Sequence, residues 1–170
     1  MIINFLGDGS FKIQTGGLVI LTEPFSGELS NRLKPDILLK TKLSAPPAPN
    51  PALFVISGPG EYEVKGVNIL GFPGFNYLIK AEEINIGFIG PLNGRELPAT
   101  SLIDILFIAA GGEAVKIIKQ LEPKIVIPST GKVEDLMEEL DQKCVPQEKL
   151  VIKKKDLSSE GPKLVCLSTA

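Results

Sequence analysis

The chain has 170 residues, one domain's worth of sequence (residues 1–170) and enough to bury a core without a disulfide or metal staple. Its 18 basic and 20 acidic side chains leave a net charge of −2, which argues against a general nucleic-acid binder with its basic excess. It contains no histidine, so no Ser-His-Asp triad, Cys-His dyad or imidazole metal ligand can be built from it.

Short apolar runs punctuated by Gly and Pro fill the first hundred residues. The pattern predicts strands at Ile2–Leu6 and Phe11–Ile13 around Asp8-Gly9, a dipeptide suited to a tight type I′ turn. Further strands are expected at Leu18–Leu21, Asp36–Leu39, Leu53–Ile56, Tyr62–Val64 and Val67–Phe72, the last two joined at Lys65-Gly66. Tyr77–Ala81 and Ile84–Ile89 read as a hairpin turning at Glu82-Glu83. Beyond the buried strand Ile105–Ile108 the period changes. Ala114, Ile117, Ile118 and Leu121 recur at helical spacing, and Val133, Leu136, Met137 and Leu140 repeat it. Strands are expected at Lys124–Ile127, Leu150–Ile152 and Leu164–Leu167. Strand-rich first and β-α-β-α-β afterwards, the order fits a layered α/β (α+β) sandwich of two sheets covered by helices better than a doubly wound sheet.

Cys144 and Cys166 form no C-x-x-C and sit in a His-free chain, so they are expected to be unbridged, structural thiols in a cytoplasmic protein. The N-terminus has no positively charged n-region, and no apolar run reaches bilayer-spanning length, so neither a signal peptide nor a membrane partner is expected.

Little in the chain looks like a ready-made chemical site. Gly7-Asp8-Gly9-Ser10 lacks the third glycine and following helix of a phosphate loop, and Ser57-Gly58-Pro59-Gly60 reads as a turn. Asp8, Glu23 and Asp104 are carboxylates that would suit Mg²⁺, but their spacing does not show that they converge. Pro46-Pro47-Ala48-Pro49 fits P-x-x-P and reads first as a stiff surface loop. Lys153-Lys154-Lys155 reads as a solvated strand end.

Several segments together resemble the metallo-β-lactamase superfamily, in particular the small bacterial proteins related to L-ascorbate-phosphate lactonase. They are the hairpin from Phe5 to Ile13, Thr22-Glu23-Pro24-Phe25, the stretch from Ile56 to Val67, the stretch from Leu121 to Pro128, and Leu150 to Leu157. The resemblance implies a four-layer αββα sandwich with a metal site at one edge of the two sheets. It also places that site's ligands. The H-x-H-x-D-H loop falls at Lys42, Ser44, Pro46 and Pro47. The next histidine falls at Asn76, after Gly71-Phe72-Pro73-Gly74-Phe75. The H-L-G-D-L segment reads Phe88-Ile89-Gly90-Pro91-Leu92, the last histidine falls at Thr130, and the second residue of the G-H-S hairpin is Asp8.

None of these residues matches the ligand it replaces: Lys is a cation, and Pro has no side-chain lone pair. The resemblance with these departures therefore implies a metal-free pseudoenzyme without a cofactor, a non-catalytic homologue serving as a structural or binding protein. Lys42 is expected to supply a positive charge to Asp8 if their loops still meet. The alternative is a metal-dependent hydrolase, lactonase- or phosphoesterase-like, with a non-histidine site. The sequence leaves self-association into a homo-oligomer open as a further expectation.

Overall fold

The structure, a computed structural model, describes residues 1–22, 33–42, 53–90, 102–157 and 160–169. Period-two alternation builds the first sheet. In β2 (Ser10–Thr15) Phe11 and Ile13 are fully buried, while Lys12 and Gln14, each following one of them, are partly exposed. β1 (Ile2–Gly7) pairs with it in register Ile3↔Ile13 and Phe5↔Phe11, which puts the apolar set of both strands on one face. Asp8 and Gly9 have φ of 49° and 78°, the left-handed pair that a type I′ turn requires, so the turn expectation holds.

β3 (Leu18–Thr22) continues this sheet, followed by β4 (Ile37–Leu39) and β5 (Phe54–Ile56), each parallel to its predecessor. On the other side, β12 (Lys149–Val151) closes the order β12-β1-β2-β3-β4-β5.

The second sheet begins with a meander: β6 (Gly60–Val64), β7 (Val67–Phe72), β8 (Asn76–Ala81) and β9 (Ile84–Ile89). It then turns parallel through β10 (Ile105–Ala110), β11 (Ile125–Gly131) and the two-residue β13 (Lys163–Leu164). The strand order is β13-β11-β10-β9-β8-β7-β6.

The two sheets face each other over an isoleucine-rich core. Phe11 of the first sheet meets Phe107 of the second with ring centroids 4.7 Å apart. The helices α1 (Ala114–Leu121) and α2 (Val133–Glu139) lie on the outer face of the second sheet. There Ala114, Ile117, Ile118 and Leu136 are buried against Leu106, Ile108 and Val126. The expected sandwich of two sheets is therefore the architecture, and among the described residues both α-helices cover the second sheet.

Two expectations are corrected. Cys144 and Cys166 are not free thiols: they form a disulfide with Cα atoms 5.8 Å apart. The 22-residue separation hides the proximity, which arises because Gln142 folds the chain after α2 onto β13. Its side chain donates to Pro162 O at 2.7 Å and accepts from Leu164 N–H at 2.9 Å. A cytoplasmic assignment that rested on reduced thiols loses that support. The run Lys153-Lys154-Lys155 is also more than a solvated strand end. It lies beyond β12, and Lys154 donates to both carboxylate oxygens of Asp104, at 3.1 and 2.9 Å. Among the described residues no helix is long and apolar enough to cross a membrane.

Candidate functional site

Parallel strands leave their C-terminal ends along one edge of a sheet, and crevices form there. In this protein the ends of β4, β9, β10 and β11 and the tip of the β1–β2 hairpin enclose a cavity of about 220 Å³. Its lining divides sharply. Phe75, Phe88, Ile89, Phe107 and Ala109 form the apolar part, while Asp8, Thr41, Lys42, Ser129 and Thr130 supply polar side chains. Phe88 and Phe107 stack almost face to face, with centroids 4.2 Å apart and planes 8° from parallel.

Each wall has a local cause. The β1–β2 turn closes against the end of β11 because Gly9 has no side chain: a Cβ there would lie 2.9 Å from Thr130 Cγ2. Register shifts between Phe5 and Gly7 and between Ile108 and Ala110 bend the strands that reach the cavity. Fully buried Tyr77 crosses from the second sheet and donates its hydroxyl to Lys40 O at 2.7 Å. That bond anchors the chain just before Thr41 and Lys42.

Of the expected site positions, Asp8, Lys42, Phe88 and Thr130 line this one cavity. Asn76 does not reach it. Buried as the first residue of β8, it donates from Nδ2 to Pro73 O at 2.8 Å and accepts from Gly90 N–H at 2.9 Å, so it fixes Gly90 of the cavity wall from behind. Ser44, Pro46, Pro47 and Pro91, the P-x-x-P run and Glu23 lie outside the described residues.

Asp104 is not a partner for Asp8. It precedes β10, so the length of that strand, roughly 17–20 Å, separates it from the cavity. It is committed there to Asn85 N–H, at 2.8 Å, and Lys154. The expected Asp8–Lys42 ion pair is not formed, although both side chains border the same space.

Sequence reasoning missed Phe107, Ala109 and Thr41 and gave Ser129 no role. The available signal for Thr41, Ala109 and Ser129 was position, since they stand near or just beyond the C-terminal end of a parallel strand, whereas Phe107 lies mid-strand in β10.

These residues do not fit the zinc site that the resemblance implies. Zinc takes imidazole nitrogen, thiolate sulfur or carboxylate oxygen, usually four donors in a tetrahedron. The cavity presents one carboxylate, three hydroxyls and a lysine ammonium, and both cysteines are tied up in the disulfide. Among the described residues no three Asp, Glu, Cys or His side chains gather into a group that could hold a metal ion.

Known structures share this architecture. A Thermotoga maritima protein assigned to the Zn-dependent hydrolases of the metallo-beta-lactamase superfamily superposes with a TM-score of 0.77 at 24% identity, covering 98% of each chain. Igni18, a metallo hydrolase of the hyperthermophilic archaeon Ignicoccus hospitalis, gives 0.59 at 12% identity over 89% of this chain and 99% of its own. At these identities the likeness is one of fold. No curated protein matches the chain. The family model of the beta-lactamase superfamily domain matches residues 2–130, and by that match the chain belongs to the beta-lactamase superfamily.

Proposed function

We propose that this protein is a non-catalytic, metal-free member of its superfamily that keeps the sandwich as a scaffold and uses the edge cavity for binding. The observation that carries the reading is the cavity's donor set: one carboxylate beside an ammonium, three hydroxyls and an aromatic wall. A hydrolytic metal needs several anionic or imidazole donors to hold it and to lower the pKa of its water. Lys42 bears the wrong charge for that role and Thr130 is a neutral hydroxyl, so the positions that the resemblance assigns to ligands are poor ones. A cavity of this shape remains suited to binding, since ligand sites combine apolar walls with a few polar groups.

Elemental analysis of protein purified from zinc-supplemented cells tests the proposal, together with rates on an activated phosphodiester and a simple lactone. The expected result is far less than one metal per chain and no hydrolysis above background. Stoichiometric metal that disappears together with activity in Asp8→Ala would overturn it in favour of a hydrolase with a non-histidine site.

A further inference from the structure

The Cys144–Cys166 bridge lines an open groove of about 490 Å³ at the margin of the sandwich where the edge strands β12 and β13 of the two sheets lie. The charged side chains of that groove are Lys124, Lys143, Lys163 and Asp156. Among the described residues the three ammonium groups have no ion-pair or hydrogen-bond partner. The Asp156 carboxylate, by contrast, accepts Lys153 N–H at 2.9 Å. An excess of positive charge therefore stands beside a sulfur–sulfur bond.

The two sulfurs differ in access. Cys166 is buried, whereas Cys144 is partly exposed between exposed Lys143 and Val145, the latter 84% exposed. A thiolate entering the groove reaches Cys144 first. Opening the bridge does not release the segment that carries Cys144. Gln147 N–H donates to Cys166 O and Ser168 N–H to Gln147 O, both at 3.0 Å, and the Gln142 side chain keeps its bonds to Pro162 and Leu164. The sulfurs remain neighbours, so the bridge can open and close within the folded protein. Thiolates are the reacting species in such exchange, and nearby cations favour the arriving and the departing one alike.

We propose that Cys144–Cys166 is a thiol–disulfide exchange site for small carboxylate-bearing thiols of the glutathione type, attracted by the groove lysines and attacking Cys144 Sγ. The thiolate forms a bond to Cys144 Sγ, the Cys144–Cys166 bond breaks, and its electron pair leaves on Cys166 Sγ, which takes a proton from water. A second thiolate attacks the small-molecule sulfur of the mixed disulfide and releases Cys144 as a thiolate, which is protonated in turn. Two thiols are thereby oxidised to their disulfide, and the bridge is reduced by the same two electrons.

Mercaptopropionate, mercaptoethanol and cysteamine share a thiol and differ in the charge of the arm. Reduction of the native protein by each is followed at low salt by quenched thiol labelling. Each rate per thiolate is divided by that thiol's rate with a small neutral disulfide, which removes intrinsic nucleophilicity. Mercaptopropionate should then exceed cysteamine roughly tenfold, with mercaptoethanol between them, and the gap should close at about 1 M salt. Lys143→Glu combined with Lys163→Glu, both exposed positions, should reverse the order. With glutathione, alkylation and peptide mapping should place the mixed disulfide on Cys144.

Equal normalised rates overturn the proposal, as does an adduct found mainly on Cys166. A reduction rate that does not rise with thiol concentration also overturns it, since the bridge would then be reached only by unfolding. These readouts do not involve the edge cavity, so they stand or fall separately from the metal and hydrolysis assays.

Discussion

The two ends of the parallel strands treat their carboxylates in opposite ways. At the N-terminal ends every described acid that reaches inward is held. Asp36 meets Lys65 Nζ at 2.6 Å and Val19 N–H at 2.8 Å, and Asp104 meets Asn85 N–H and Lys154. Glu82 accepts from the N-terminal amine at 2.8 Å and from Thr15 Oγ1 and Gly16 N–H, both at 2.9 Å. These bonds fasten the β8–β9 turn, in which Glu82 and Glu83 take φ of 51° and 61° without glycine, to the first sheet. At the C-terminal ends Asp8 has, among the described residues, no such partner and borders a cavity. One edge holds the sandwich together; at the other, among the described residues, the carboxylate faces a cavity instead.

The comparison extends to the disulfide, which secures the segment after α2 to the strand at the margin of the second sheet. Its reduction should cost about 3 kcal/mol, the usual effect of opening a loop of this length. Denaturant unfolding with and without reductant measures it. Thiol labelling of the denatured, unreduced protein should find no free cysteine, and two labelled thiols would refute the Cys144–Cys166 bridge.

A smaller but still large loss is expected for Asp104→Ala. The substitution orphans Asn85 N–H and strands Lys154, whose side chain remains 46% exposed and so partly solvated. About 2 kcal/mol is expected in chemical denaturation. A cost under 0.5 kcal/mol would mean that this edge is not the structural one.

Acid should weaken the same edge. The Lys65 hydrogen bond, helped by Val19 N–H, holds the Asp36 carboxyl below its ordinary range. The N-terminal amine does the same for Glu82, with Gly16 and Thr15 contributing. Groups with lowered folded-state values stabilise the protein above their unfolded values, near pH 4, and lose that contribution as pH falls through the lower folded values. Stability should therefore be level from about pH 5 to 7 and decline below that, and Glu82→Gln should flatten part of the decline. An unaltered acid limb in that variant would remove Glu82 from the account.

The smallest effect is expected at the other edge. Asp8→Asn should change stability by no more than about 0.5 kcal/mol, because no contact is lost and the turn geometry is kept. A loss comparable to that of Asp104→Ala would erase the contrast between the edges and would point to a structural role for Asp8.

The sequence by itself determined the strands, because burying one face of a strand writes a period of two into it. Phe11 and Ile13 against Lys12 and Gln14 are legible without a structure. So were the Asp8-Gly9 and Lys65-Gly66 turns, whose glycines suit positive φ, and the helical faces of α1 and α2. The absence of histidine was legible too, and with it the mismatch to zinc.

Only the tertiary structure decided what meets. Cys144 finds Cys166 because Gln142 folds one segment onto another, and no local pattern encodes such a closure. Phe107 and Ala109 read as core strand and loop edge, and become cavity wall only because β9, β10 and β11 end side by side. Asn76 looked like a site residue by its place in the chain. It instead turns inward, where its buried amide bridges Gly90 N–H and Pro73 O. Local propensity acts over a few residues, whereas a cavity is assembled from strand ends scattered from residue 8 to residue 130, so its chemistry emerges only once the two sheets are packed.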